Sequence, residues 1–187
     1  MGDVVKIVGS LRASAPTFTA PLSGATCLWY AADVKVNGRL VTERRTQDVF
    51  LDDESGSALI HMLAADVRLW EMVEPWCSDP PAPDDERNLA TTENLTKFLA
   101  THGVVHRSRR PSGLELLLAG GDMSDLHGVL YREFVLRGGD RVAVVGRAVR
   151  EPDPTVPPAG LRQPAFRLVL GEPPEGVIVS NEPGFSS

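Results

Sequence analysis

Long apolar runs are what this sequence lacks first: no stretch approaches the roughly 18 apolar residues that a membrane-crossing helix needs. No membrane span is expected. Cysteine is nearly missing too, with only Cys27 and Cys77 in 187 residues. They form no CxxC pair and cannot together supply a four-ligand zinc site. Buried thiols are expected rather than a structural disulfide. The opening Met1-Gly2-Asp3-Val4 lacks the charged-then-apolar pattern of a signal peptide, and Lys6 stands where a myristoylation motif wants Ser or Thr. The expected location is cytoplasmic.

Recognisable chemistry is sparse as well. Ser23-Gly24 and Ser55-Gly56 sit in no GxSxG elbow. Gly120-Gly121-Asp122 and Gly138-Gly139-Asp140 lack the Lys-Ser/Thr of a phosphate loop and read as turns. His61, His102, His106 and His127 contain no i, i+4 pair of the zinc-binding kind, and His102 is expected to pack or to cap a helix. Asp52, Asp53 and Glu54 lack the spacing of a calcium loop and read as an acidic hairpin turn. Sequence distance leaves open a spatial pair of Cys27 with a histidine. No catalytic residue, cofactor or metal is expected, and the chain is not expected to be an enzyme.

What is abundant is turn-forming residues. With 17 glycines and 15 prolines, the composition favours short strands joined by turns over long helices. Val4 to Arg12 has the β-branched content of a strand. Cys27 to Val36 ends at Asn37-Gly38, a strong hairpin signal, and Leu40 onward returns as its partner. Thr46 to Asp52 and Ser57 to Met62 pair around Asp53-Glu54-Ser55-Gly56. Residues 63–76 read as an irregular or short helical segment. The stretch Ser78 to Glu86, rich in proline and acid, reads as a mobile loop. Thr91 or Thr92 can then cap a helix carrying Leu95, Phe98, Leu99 and His102 on one face, stopped by Gly103. Further strands are expected at 113–118, 129–136, 141–150, 166–170 and 176–180, with a long Pro-rich loop over 152–164.

The expected fold class is mainly β: an OB-like small barrel with an inserted helical, acidic segment. A single domain should cover 1–180, with the insertion at about 63–128 holding the mobile loop 78–86, and a C-terminal tail at 181–187. The formal charge is −6, unevenly spread. Eight acids against two arginines fall within 66–95, and eight arginines against five acids within 104–150.

Several ordered segments carry a family resemblance. They are Pro21-Leu22-Ser23-Gly24 with Cys27 and Tyr30, Phe50-Leu51-Asp52-Asp53-Glu54-Ser55-Gly56, the helix Leu95 to Gly103, and Tyr131 to Gly146. Together they span about residues 5–180, and the chain resembles the GIDE (BAM) domain family. The resemblance implies a β-rich domain displaying loops to another protein. It departs from the family where transmembrane helices usually flank the domain and where the ligases add a RING. Two cysteines and four histidines cannot fill a RING's two zinc sites, so ubiquitin-ligase activity does not carry over.

The function expected from these features is a non-enzymatic protein-interaction or scaffolding domain, a subunit or adaptor of a larger assembly whose protein partner is not named by the sequence. The alternative is an OB-like protein that binds single-stranded nucleic acid, using basic grooves and stacking aromatics. The candidate interaction surface for either is Arg107, Arg109, Arg110, Arg132, Arg141, Arg147 and Arg150. Against nucleic acid stand the acidic balance and the placing of most aromatics at apolar strand positions.

Overall fold

Alternation of apolar and polar residues decides this architecture, because side chains two apart on a strand share a face. The computed structural model describes residues 3–36, 38–69, 76–79, 92–104, 129–154, 166–171, 176–182 and 184. In chain order its strands are β1 (Val4–Ala13), β2 (Phe18–Thr19), β3 (Thr26–Cys27), β4 (Trp29–Val36), β5 (Arg39–Thr46), β6 (Val49–Asp53) and β7 (Gly56–Ile60). There follow β8 (Asp66–Arg68), β9 (Cys77–Asp79), the helix α1 (Thr92–Thr101), β10 (Val129–Leu136), β11 (Arg141–Pro152), β12 (Phe166–Leu170) and β13 (Val177–Ser180).

Five strands close on themselves. β1 pairs with β6, β6 with β7, β7 with β12, β12 with β11, and β11 returns to β1. Only the β7–β12 contact in this ring is parallel. The result is the mainly β, OB-like small barrel with an inserted helix expected from the sequence. Closure leaves no ragged sheet edge within the ring. Leu11, Val49, Leu51, Ala58, Ile60, Val142, Val144 and Leu170 project inward and form its core. β13 extends the sheet beyond β11, and β8 runs parallel to β13.

A second sheet, ordered β5-β4-β10-β9, is built from segments between the barrel strands. β4 is buried on both faces. Trp29 and Ala31, with Phe134 and Leu136 of β10, join the barrel core. Ala32, Val34 and Val36 face the other way, against Leu95, Phe98 and Leu99 of α1. Thus α1, which has one apolar stripe, is held by burial against the sheet. Gly103, at φ +69°, ends it as expected. The loop before β3 is fixed by Glu133, whose carboxylate accepts the amides of Leu22 at 2.7 Å and Ser23 at 2.9 Å.

Two local expectations need correction. Residues 63–76 were expected to be irregular or helical, yet Asp66–Arg68 is a strand, aligned by three residues of β13. Ser78 and Asp79 were expected in a loop, yet they pair with Leu130 and Val129 as part of β9. The rest of the expected loop, 80–86, and the strand expected at 113–118 lie outside the described residues.

Candidate interaction site

The four candidate arginines among the described residues, Arg132, Arg141, Arg147 and Arg150, do not share one face. Arg107, Arg109 and Arg110 lie outside the described residues. Arg132 is spent inside the fold: its Nε donates to Asp33 Oδ2 at 2.9 Å, its Nη2 lies 2.9 Å from the same oxygen, and its guanidinium lies over Trp76 at 4.5 Å and Phe134 at 5.5 Å. On β11, Val142 and Val144 point into the core, so Arg141 and Arg147 stand on the outer face. Arg147 is half-buried and already engaged with a neighbour. Arg150 falls on the core-facing side of the strand, where the barrel opens.

That opening holds a cavity of about 400 Å³. Ile7, Leu51, Ala58 and Leu168, one from each of four barrel strands, floor it. Its rim is polar and mixed in charge, with Asp53, Ser55, Ser57, Arg150 and Arg167. Phe166 closes one side and remains 58% exposed. Glu151 neutralises Arg167, accepting its Nε at 2.7 Å. Arg150 differs: among the described residues no carboxylate comes within ion-pair reach of it. An exposed phenyl ring and an unpaired guanidinium therefore flank an apolar floor.

The acidic turn on the same rim is satisfied internally. Asp52 accepts Arg12 Nε at 2.6 Å and Nη2 at 3.0 Å, tying β6 to β1. Hydrogen bonds from Arg12, then from Ser57, hold its carboxyl below the usual range. Asp53 accepts the Ser55 hydroxyl at 2.7 Å and the amides of Ser55 and Gly56, which lowers it likewise. The Asp52 oxygens face Arg12 and Asp53 Oδ1 faces its own turn, so they share no centre. Among the described residues no group of three or more His, Cys, Asp or Glu is placed to hold a metal.

Two histidines can be placed. His61 Nδ1 lies 2.7 Å from Asp48 Oδ2, while Asp48 Oδ1 accepts the Met62 amide at 3.1 Å. A carboxylate that orients an imidazole is a device shared with catalytic bases. Here the nearby Ser14 hydroxyl donates to the Asp48 carbonyl rather than to the ring, and the group serves to clasp the end of β7 to the β5–β6 turn. His102 caps α1: Nδ1 lies 2.9 Å from the Phe98 carbonyl and its ring packs 4.5 Å from that of Phe98. His106 and His127 lie outside the described residues.

Cys27 belongs to neither histidine. It is fully buried with Ala20 and Tyr30, and its thiol donates to the Phe18 carbonyl at 3.8 Å. Burial, reinforced by Glu133, pushes the thiol up from its ordinary value, so the reactive thiolate is disfavoured. A Cys77→Ala variant should show no titratable thiol with Ellman's reagent until it is denatured, when one appears. Prompt reaction of the native variant would mean that Cys27 is accessible.

Sequence reasoning selected arginines by charge and missed Phe166. The available signal was an isolated aromatic at the first position of a strand after a Pro-rich stretch, where burial on both faces is least assured. Among the described residues no helix is long and apolar enough to cross a membrane. Compared with family models, curated proteins and solved structures, the chain matches none.

Proposed function

We propose that this chain is a non-enzymatic protein-interaction module of the GIDE-like kind, an adaptor or subunit that engages its partner at the open end of the barrel. The observation that carries this reading is the pairing of exposed Phe166 with Arg150, which has no carboxylate partner among the described residues, beside an apolar-floored cavity. Interface hot spots combine an aromatic anchor, a pocket and an arginine in this way. The complementary partner offers an apolar side chain to the floor and a carboxylate to Arg150. The ordered resemblance of residues 5–180 to loop-displaying domains supports the same reading.

Affinity capture from native cells tests it. The unmodified protein should recover a protein partner, and Phe166→Ala and Arg150→Glu should each weaken recovery. Hot-spot residues are worth about 2 kcal/mol, or roughly thirtyfold in affinity. Equal recovery by all three forms, or none by any, would refute the reading.

The same two side chains favour one other reading, because a ring for base stacking beside a guanidinium also suits single-stranded nucleic acid on an OB-like barrel. The net charge of −6 and the separation of Arg132, Arg141 and Arg150 speak for the protein partner instead. Anisotropy with labelled oligonucleotides separates the two: micromolar binding that weakens steeply with salt would favour nucleic acid.

A further inference from the structure

A second cavity, of about 340 Å³, lies between α1 and β5. Its charge is unusual for an acidic protein. Arg45 and Lys97 both line it, and among the described residues neither has a carboxylate within ion-pair reach. Arg45 is held in place by packing, its guanidinium 4.7 Å above the ring of Phe18.

Glu43 is the one acid on the lining, and its Oε1 is already claimed. Tyr30, which is buried, donates its hydroxyl to Oε1, and His102 Nε2 lies 3.4 Å from Oε2. Burial and then the bond to Glu43 push the Tyr30 hydroxyl well above its ordinary value, against the opposing influence of Arg45. Tyr30 therefore stays neutral at physiological pH and presents no competing anion. Pro21 and Phe98 supply apolar wall on the same lining.

We infer that this cavity binds a small organic oxyanion, a phosphate monoester or a carboxylate with an apolar body. Arg45 and Lys97 take the anionic end and the wall of Pro21 and Phe98 takes the body. A volume of about 340 Å³ sits at the lower end of small-molecule sites. Two cations reaching one anion make charge-assisted hydrogen bonds, the stronger class. This site is separate from the barrel opening and does not depend on the partner proposed there.

Calorimetric titration of the full chain with phenyl phosphate and with phenylacetate tests the inference and separates the two sources. At least one should bind saturably, with benzylamine, the cationic counterpart, not binding. Arg45→Gln and Lys97→Gln should each weaken binding about tenfold, the cost of one charge-assisted bond. Arg39→Gln removes the same charge from the same strand outside the cavity and should change nothing. Amide shifts on titration should centre on Lys97 and Thr101. Saturation by neither anion, equal binding of benzylamine, or equal weakening by Arg39→Gln would overturn the proposal.

Discussion

Gly9→Ala should destabilise the protein by about 3 kcal/mol, the upper part of the range for forced overpacking. In a domain of this size that corresponds to a fall of roughly 10 °C in melting temperature. A methyl group at Gly9 would drive into the backbone carbonyl of Asp52 and lie 3.2 Å from Leu51 Cγ. A side-chain tip can rotate away from such a contact, but a carbonyl within a sheet can move only by shifting its strand. Gly9 also sits where β1 passes between partners: Gly9 lies opposite Val142 of β11, while Leu11 lies opposite Leu51 of β6. The strand displaced is therefore the one that closes the barrel. Gly138→Ala is the matched control, since nothing lies within 4 Å of an added methyl there. It should change stability by no more than about 0.5 kcal/mol. Thermal or urea unfolding of the two variants gives the comparison, and equal midpoints would show that β1 is free to move.

Legibility in the sequence followed the range of the interaction. The expected bounds of β10 and β12 agree with the structure, because each is an apolar run set between turn residues. The Asn37-Gly38 turn is local chemistry, and Gly38 takes φ +74°. β8 left no such trace: its three residues are strand only because Ile178, Val179 and Ser180 lie beside them. Gly9 reads as any glycine in a strand, for the atom it makes room for is 43 residues away in sequence. The site divides in the same way. Charge alone nominated seven arginines, yet which of them is spent internally depends on partners that no spacing reveals. Arg132 and Asp33 are 99 residues apart. Phe166 was visible as the start of a strand, while its exposure follows from how β12 meets the barrel opening.

The function proposed at that opening therefore rests on side chains left over once folding has taken its share. Arg12 is bound by Asp52, Arg167 by Glu151, and Arg132 by Asp33. Arg150 has no such partner among the described residues. Substitutions in the first group should appear as changes in stability, and substitutions at Arg150 and Phe166 as changes in partner recovery with unaltered melting.

The sharpest case of that division is the Asp33–Arg132 pair, where Asp33→Ala should cost about 3 kcal/mol. Asp33 is only 7% exposed. Its Oδ1 accepts the Thr42 hydroxyl at 2.9 Å while Oδ2 takes the guanidinium, so both oxygens are compensated. Deleting the carboxylate leaves a cation between Trp76 and Phe134 with no anion, and removing one partner of a buried pair typically costs 3–5 kcal/mol. The lower figure applies because the Arg132 side chain keeps 31% exposure and can draw on water. Arg132→Met, which retains the length of the stem, should cost a similar amount by stranding Asp33. The double variant Asp33→Val/Arg132→Met removes both charges and fills the same space, and should recover most of the loss. Unfolding measurements on the four proteins give the coupling directly. A double variant whose loss equals the sum of the two single losses would show that neither charge relies on the other. Partner capture by the double variant should match that of the unmodified protein, because the arginine removed lies outside the lining of the proposed binding surface.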